Sequence, residues 1–177
     1  MADHTVRVKV FNRQGTLVGP FEMSKVVKTD AEWRQQLTPE QFSVARSKGT
    51  ERPFCGTLLD NKQQGVYICI CCALPLFASD AKFNSGTGWP SFFQPVAEEN
   101  VATHADRTFG MTRVEILCAR CDGHLGHVFK DGPRPTGDRH CVNSESLSFT
   151  AAEALATLAE PVADPQVSTP VFSSSPM

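Results

Sequence analysis

Apolar and charged residues alternate at the N-terminus. Val6, Val8 and Val10 are separated by Arg7 and Lys9, a period of two that predicts a strand over residues 5–11. Asn12-Arg13-Gln14-Gly15 supplies a turn, and residues 1–28 read as an N-terminal extension folded as a β-hairpin. Two helix starts follow. Thr29 with Glu32 forms one capping box, opening a short helix that runs to Leu37. Thr38 with Gln41 forms another, with Pro39 at the first helical position and an expected stop near Gly49. From Gly65 onward the pattern changes to short apolar runs bounded by glycine and proline. Val66–Cys69, Arg113–Cys118 and His140–Phe149 read as strands. The expected fold class is mainly β (α+β), with one body over residues 29–150. Residues 151–177 form a weak helix starting at Thr150–Leu155 and then a Pro- and Ser-rich tail, expected to be disordered from about residue 161.

Composition narrows the function. A chain of 177 residues with 41% hydrophobic positions can build one real core. A net charge of −2 offers no basic surface for nucleic acid and no cationic face for a membrane. There is no continuous apolar leader or span, so neither export nor membrane insertion is expected. Seven cysteines, an odd number with two side by side (Cys71, Cys72), argue for a reducing, cytoplasmic setting rather than a disulfide framework.

The cysteines fall into two sets. Cys69 and Cys72 match Cys118 and Cys121, each pair separated by two residues. Four thiolates suit a tetrahedral Zn²⁺, and with every position taken by protein such a site is structural. The first pair could instead be Cys69 and Cys71; disulfides or plain buried thiols are the alternatives to a metal. Cys141 stands apart. On a strand, Cys141 and Asn143 face one side, and His124 and His127 lie shortly upstream. A cation beside a thiol raises its thiolate fraction, and cysteine with a positioned histidine is a nucleophile's arrangement. The plainer alternatives are a core cysteine with two surface histidines, or a metal bound by the histidines themselves. Ser85-Gly86-Thr87-Gly88-Trp89-Pro90 must turn tightly and presents Trp89 either to a ligand pocket or to the core.

Together these stretches resemble the methionine-R-sulfoxide reductases, the B-type methionine sulfoxide reductases. The resemblance is carried by Thr50-Glu51-Arg52-Pro53-Phe54, Ser85–Phe92, Cys118–Cys121, His124-Leu125-Gly126-His127-Val128-Phe129, Asp131-Gly132-Pro133, Pro135-Thr136-Gly137 and Arg139–Ser144, spanning roughly Trp33 to Phe149. It implies two antiparallel β-sheets pinned by a four-cysteine zinc site, acting on methionine-R-sulfoxide in oxidised proteins. It further implies that Cys141 attacks the sulfoxide sulfur, that His127 is the acid with His124 and Asn143 helping, and that Trp89 receives the methyl group with Phe129 helping to build its pocket. Cys141 then becomes a sulfenic acid. Many members of that family carry a resolving cysteine where this chain has Thr87, so Cys55 is the candidate substitute, forming a disulfide that thioredoxin reduces; the alternative is an inert Cys55 and direct reduction by an external thiol. Two rival classes are a zinc-stapled binding module, which has no use for Cys141, His127 and Trp89 together, and a zinc hydrolase, which lacks a third ligand and an open position.

Overall fold

The alternating valines form one arm of a hairpin. β1 (Thr5–Phe11) pairs antiparallel with β2 (Leu17–Ser24), and Val8 and Val10 are wholly buried. The computed structural model describes residues 4–165. The two capping boxes open the helices as expected. Thr29 and Glu32 exchange hydrogen bonds at α1 (Asp30–Gln36), and Thr38 and Gln41 do so at α2 (Pro39–Ala45). α2 stops four residues short of Gly49. The chain turns left-handed at Lys48, and the Gly49 N–H returns to the Ser43 carbonyl at 2.9 Å.

The body is built on two antiparallel β-sheets, as the fold class required, and the hairpin adds a third. Beside the hairpin lies a three-stranded sheet ordered β11-β3-β4, made of β3 (Gly65–Cys69), β4 (Pro75–Ala78) and β11 (Leu147–Ala151). The other sheet has six strands in the order β5-β6-β10-β9-β8-β7. They are β5 (Lys82–Phe83), β6 (Ser91–Phe92), β7 (Val101–Asp106), β8 (Arg113–Cys118), β9 (His124–Phe129) and β10 (Arg139–Val142). Tyr67, Phe77 and Phe92 interlock at the core, with ring centroids 4.5 Å apart for Phe77–Phe92 and 5.1 Å for Tyr67–Phe92. Each such aromatic contributes about 2–3 kcal/mol by leaving water.

Three sequence expectations are corrected. His140–Phe149 is not one strand. The chain leaves the six-stranded sheet at Val142, makes a 3₁₀ turn over Ser144–Ser146 and enters the three-stranded sheet as β11. The break arises because the N–H groups of Asn143 and Ser144 are taken by the Leu125 carbonyl and the Glu51 carboxylate, leaving no ladder to continue. Thr150–Leu155 is no α-helix; β11 runs to Ala151 and a 3₁₀ segment, Ala152–Leu158, follows. Pro161–Ala163 is ordered as a 3₁₀ turn, and the Arg13 N–H donates to the Asp164 carboxylate at 2.8 Å. The rest of the expected disordered tail, residues 166–177, lies outside the described residues.

Candidate active site and metal clamp

The two cysteine pairs fold as copies of one knuckle. In the first, the Ala73 N–H donates to the Cys69 carbonyl and the Cys69 N–H to the Leu74 carbonyl; in the second, Asp122 donates to Cys118 and Cys118 to Gly123. Ala73 and Asp122 both take a left-handed conformation, which folds each knuckle back so that its two sulfurs point one way. The four ligand atoms of Cys69, Cys72, Cys118 and Cys121 lie within 4.8 Å of one another, with Cys72–Cys118 at 3.4 Å and Cys69–Cys121 at 3.6 Å. Four sulfurs about 2.3 Å from one ion would stand roughly 3.8 Å apart, so the donor set fits a tetrahedral metal. The electrostatics agree. Hydrogen bonding to Cys118 holds the Cys69 thiol well above its ordinary range, burial does the same to Cys118, and hydrogen bonds led by Cys118 pull Cys121 down. A cation lets all four ionise together. Cys72 rather than Cys71 completes the set. Cys71 is buried beside it, its thiol pushed up to about 12, chiefly by its hydrogen bond with Cys121.

Cys141 lies on β10, in the middle of a transverse row. Register partners across the six strands are Phe83, Ser91, Cys141, His127, Glu115 and His104. Directly paired residues project to the same face with Cβ atoms about 5 Å apart, so one face carries the thiol, the imidazole and the carboxylate side by side. β10 can lie this close to β9 because residue 126 is glycine; a Cβ there would overlap the Cys141 carbonyl oxygen.

His124 and His127 each have a carboxylate partner. His124 Nδ1 meets Glu115 Oε2 at 2.5 Å, while Glu115, only 3% exposed, also receives Lys48 Nζ at 3.3 Å. Burial lowers the His124 pKa and Glu115 opposes it. His127 Nε2 bonds Asp106 Oδ2 at 2.8 Å, and Nδ1 has no hydrogen-bond partner among the described residues. The Thr108 backbone N–H, followed by His127, holds the Asp106 carboxyl well below the usual carboxylate range. The two imidazoles stand edge to face at 5.6 Å.

The sequence reading expected a cation to lower the Cys141 thiol. In the structure burial pushes it up, and what pulls against burial is chiefly Arg139, with help from the Thr87 hydroxyl. Arg139 sits two residues along the same strand face, stacks over Phe129 at 4.4 Å and pairs with Asp131 at 2.9 Å. Sequence reasoning quoted Arg139 and gave it no role. The two-residue step from Cys141 was the available signal.

Glu51 was likewise missed, and nothing in its spacing marks it. Its carboxylate accepts the Ser144 N–H at 2.7 Å and the Glu145 N–H at 3.1 Å, and its backbone N–H donates to Asn143 Oδ1 at 3.1 Å. Asn143 Nδ2 donates to the Leu125 carbonyl at 3.0 Å. Asn143 is therefore a buried brace tying β9 to the loop that bears Glu51. The same loop receives the Trp89 indole N–H at the Glu51 carbonyl, 3.1 Å, and Phe54 N–H donates to the Gly88 carbonyl at 2.8 Å. Gly88 has a positive φ of 96°, and a Cβ there would press on Pro53 and the Phe54 ring. Trp89 is half-buried and lines a cavity of about 600 Å³ with Phe54, Phe83 and Lys82; His127 and His124 line a second, of about 510 Å³. Cys55 is exposed on the loop just after Phe54, next to Gly56, whose Cβ would strike Ser144.

The β scaffold thus carries a four-thiol clamp and, apart from it, a half-buried thiol on one sheet face with an imidazole and a carboxylate, an arrangement suited to an oxidoreductase. Residues 37–151 match the family model described as the SelR domain. The chain is 58% identical over 131 residues to the peptide methionine sulfoxide reductase MsrB of Hahella chejuensis, covering 74% of this chain and 94% of that protein. It is 56% identical to MsrB of Herminiimonas arsenicoxydans over 127 residues (72% and 93%), and 53% to that of Methanosarcina mazei over 130 residues (73% and 93%). The chain belongs to the B-type peptide methionine sulfoxide reductases. Among the described residues no helix is long and apolar enough to cross a membrane.

Proposed function

We propose that this oxidoreductase reduces the R-epimer of methionine sulfoxide in oxidised proteins, with Cys141 as nucleophile, and is recycled through a Cys55–Cys141 disulfide by thioredoxin. The observation that carries the reading is the direct cross-strand pairing of Cys141 with His127. A sulfoxide is a poor electrophile until its oxygen is protonated, so thiol and acid must reach one small group from one face. The Cys141 thiol passes its proton to His127 and bonds to the sulfoxide sulfur while His127 Nδ1 gives that proton to the sulfoxide oxygen; the hydroxyl then moves to the Cys141 sulfur as both the substrate S–O bond and the transient S–S bond break. The products are methionine and a sulfenic acid; the thiol hydrogen and the oxygen both end on Cys141, so the step balances. Burial raises the Cys141 thiol, and Arg139, which opposes that shift, favours its thiolate.

Trp89 and Phe129 would bound the methyl group, and His124 and Asn143 would hold the acid and the loop in place. Cys55 thiol would then displace hydroxide from the sulfenic acid, giving a disulfide and water, for thioredoxin dithiol to reduce. Four hydrogen bonds lay the 51–58 loop along residues 143–145, three at Glu51 and one from the Leu58 N–H to Ser144 Oγ, and this favours Cys55 as the partner. Zn²⁺ is the ion the four thiols suit, and when bound it cross-links the two knuckles. An assay with separated R- and S-sulfoxides and thioredoxin tests the reading. Turnover of R alone, abolished in Cys141→Ser, is expected. Equal turnover of both epimers, or an active Cys141→Ser enzyme, would refute it.

A further inference from the structure

Phe109 has no place in the chemistry above, yet it lines the same cavity as His127 and is 92% exposed. It sits in the turn Thr108–Gly110 with φ 56° and ψ 29°, a left-handed conformation that bulky residues avoid and that asparagine or glycine would adopt with less strain. The turn is not loose. Asp106 Oδ1 accepts both the Thr108 N–H at 3.0 Å and its hydroxyl at 2.8 Å, while Asp106 Oδ2 binds His127 and, at 3.2 Å, Arg113. One carboxylate therefore anchors the acid and the exposed ring together. A large ring held in a strained backbone conformation at the rim of a cavity that His127 lines points to a ligand.

We infer that Phe109 is a specificity shelf, which seats an apolar side chain neighbouring the methionine sulfoxide in an unfolded or flexible polypeptide. This rests on the reductase reading and narrows its substrate class. The occupant follows from continuity. The shelf opens into the cavity that holds His127, so a chain whose sulfoxide faces the acid must carry its neighbouring residue past the ring. A neutral polar neighbour gains little from an aromatic face, and a cationic one meets Lys48, Arg107 and Arg113 around the same cavity, whereas an apolar one removes its own surface and the ring's from water together.

The test compares two acetylated, amidated peptides, methionine-R-sulfoxide flanked by phenylalanine or by glycine, with N-acetyl-methionine-R-sulfoxide as the small reference. Wild-type enzyme is expected to favour the phenylalanine peptide by about five- to tenfold in kcat/KM, chiefly through KM. Phe109→Asn, which tolerates the left-handed turn, is expected to erase that preference while leaving the small substrate within about twofold and zinc content unchanged. Equal rates for both peptides in the wild type, or a preference that survives the substitution, would overturn the shelf alone. A protein that reduces none of the three substrates would overturn the shelf together with the reductase reading beneath it.

Discussion

The two sulfur centres are built by opposite means. The clamp is made of local turns; each knuckle closes through its own backbone hydrogen bonds, and the sulfurs meet because two such turns face each other. The Cys141 centre has almost no local structure of its own. Its thiol comes from β10, its imidazole from β9, the carboxylates from β7 and β8, and its brace from a loop some 90 residues upstream. A centre made of turns resists change until a ligand is lost. A centre assembled from five segments is adjustable, and each contact tunes it separately.

That contrast sets the expected order of effects. Cys141→Ser should lower turnover by about 10³-fold or more, with melting temperature and bound zinc unchanged. Cys118→Ser should do the reverse in kind. It is expected to release the metal and cost roughly 3–5 kcal/mol, or about 10 °C in Tm, because metal binding and folding are coupled; calorimetry with metal analysis reads both. A variant that loses zinc and melts unchanged would break the comparison. Glu51→Gln removes a charged acceptor from the Ser144 and Glu145 N–H groups, and about 1–2 kcal/mol of stability with roughly tenfold in kcat should follow. Denaturant unfolding and steady-state kinetics on that one variant check whether the brace serves both.

The smallest effects are electrostatic. Because burial raises the Cys141 thiol, its alkylation by iodoacetamide should keep accelerating with pH beyond about 9, and Arg139→Ala should move the curve further up. His124 has the opposite sign. Its folded-state pKa is lowered, so the stability it contributes is present above its unfolded value, about 6.5, and is lost as pH falls below that; His124→Asn should flatten this acid limb of Tm against pH.

The clamp was legible because spacing encodes a turn: two residues between cysteines fix the knuckle whatever surrounds it. The capping boxes and the Val6-Val8-Val10 strand were legible for the same local reason. Cys141, His127 and Trp89 could be picked out from the sequence as candidates, but only a family resemblance joined them in one site, since their meeting depends on strand register. Glu115 and Asp106 are ordinary carboxylates until β7, β8 and β9 align, and Glu51 is a surface-type residue until its loop folds over Ser144. The break after Val142 escaped for a related reason. Residues 140–149 keep an apolar rhythm, and only the capture of their N–H groups from elsewhere ends the strand.

One experiment bears most directly on the adjustable centre: a single turnover with methionine-R-sulfoxide and no reductant, followed by thiol counting and peptide mapping. The account predicts one methionine formed per chain, two thiols lost and a Cys55–Cys141 disulfide, replaced in Cys55→Ser by a trappable sulfenic acid on Cys141. Methionine formed with Cys141 still a free thiol and the oxidation found on other cysteines would contradict it.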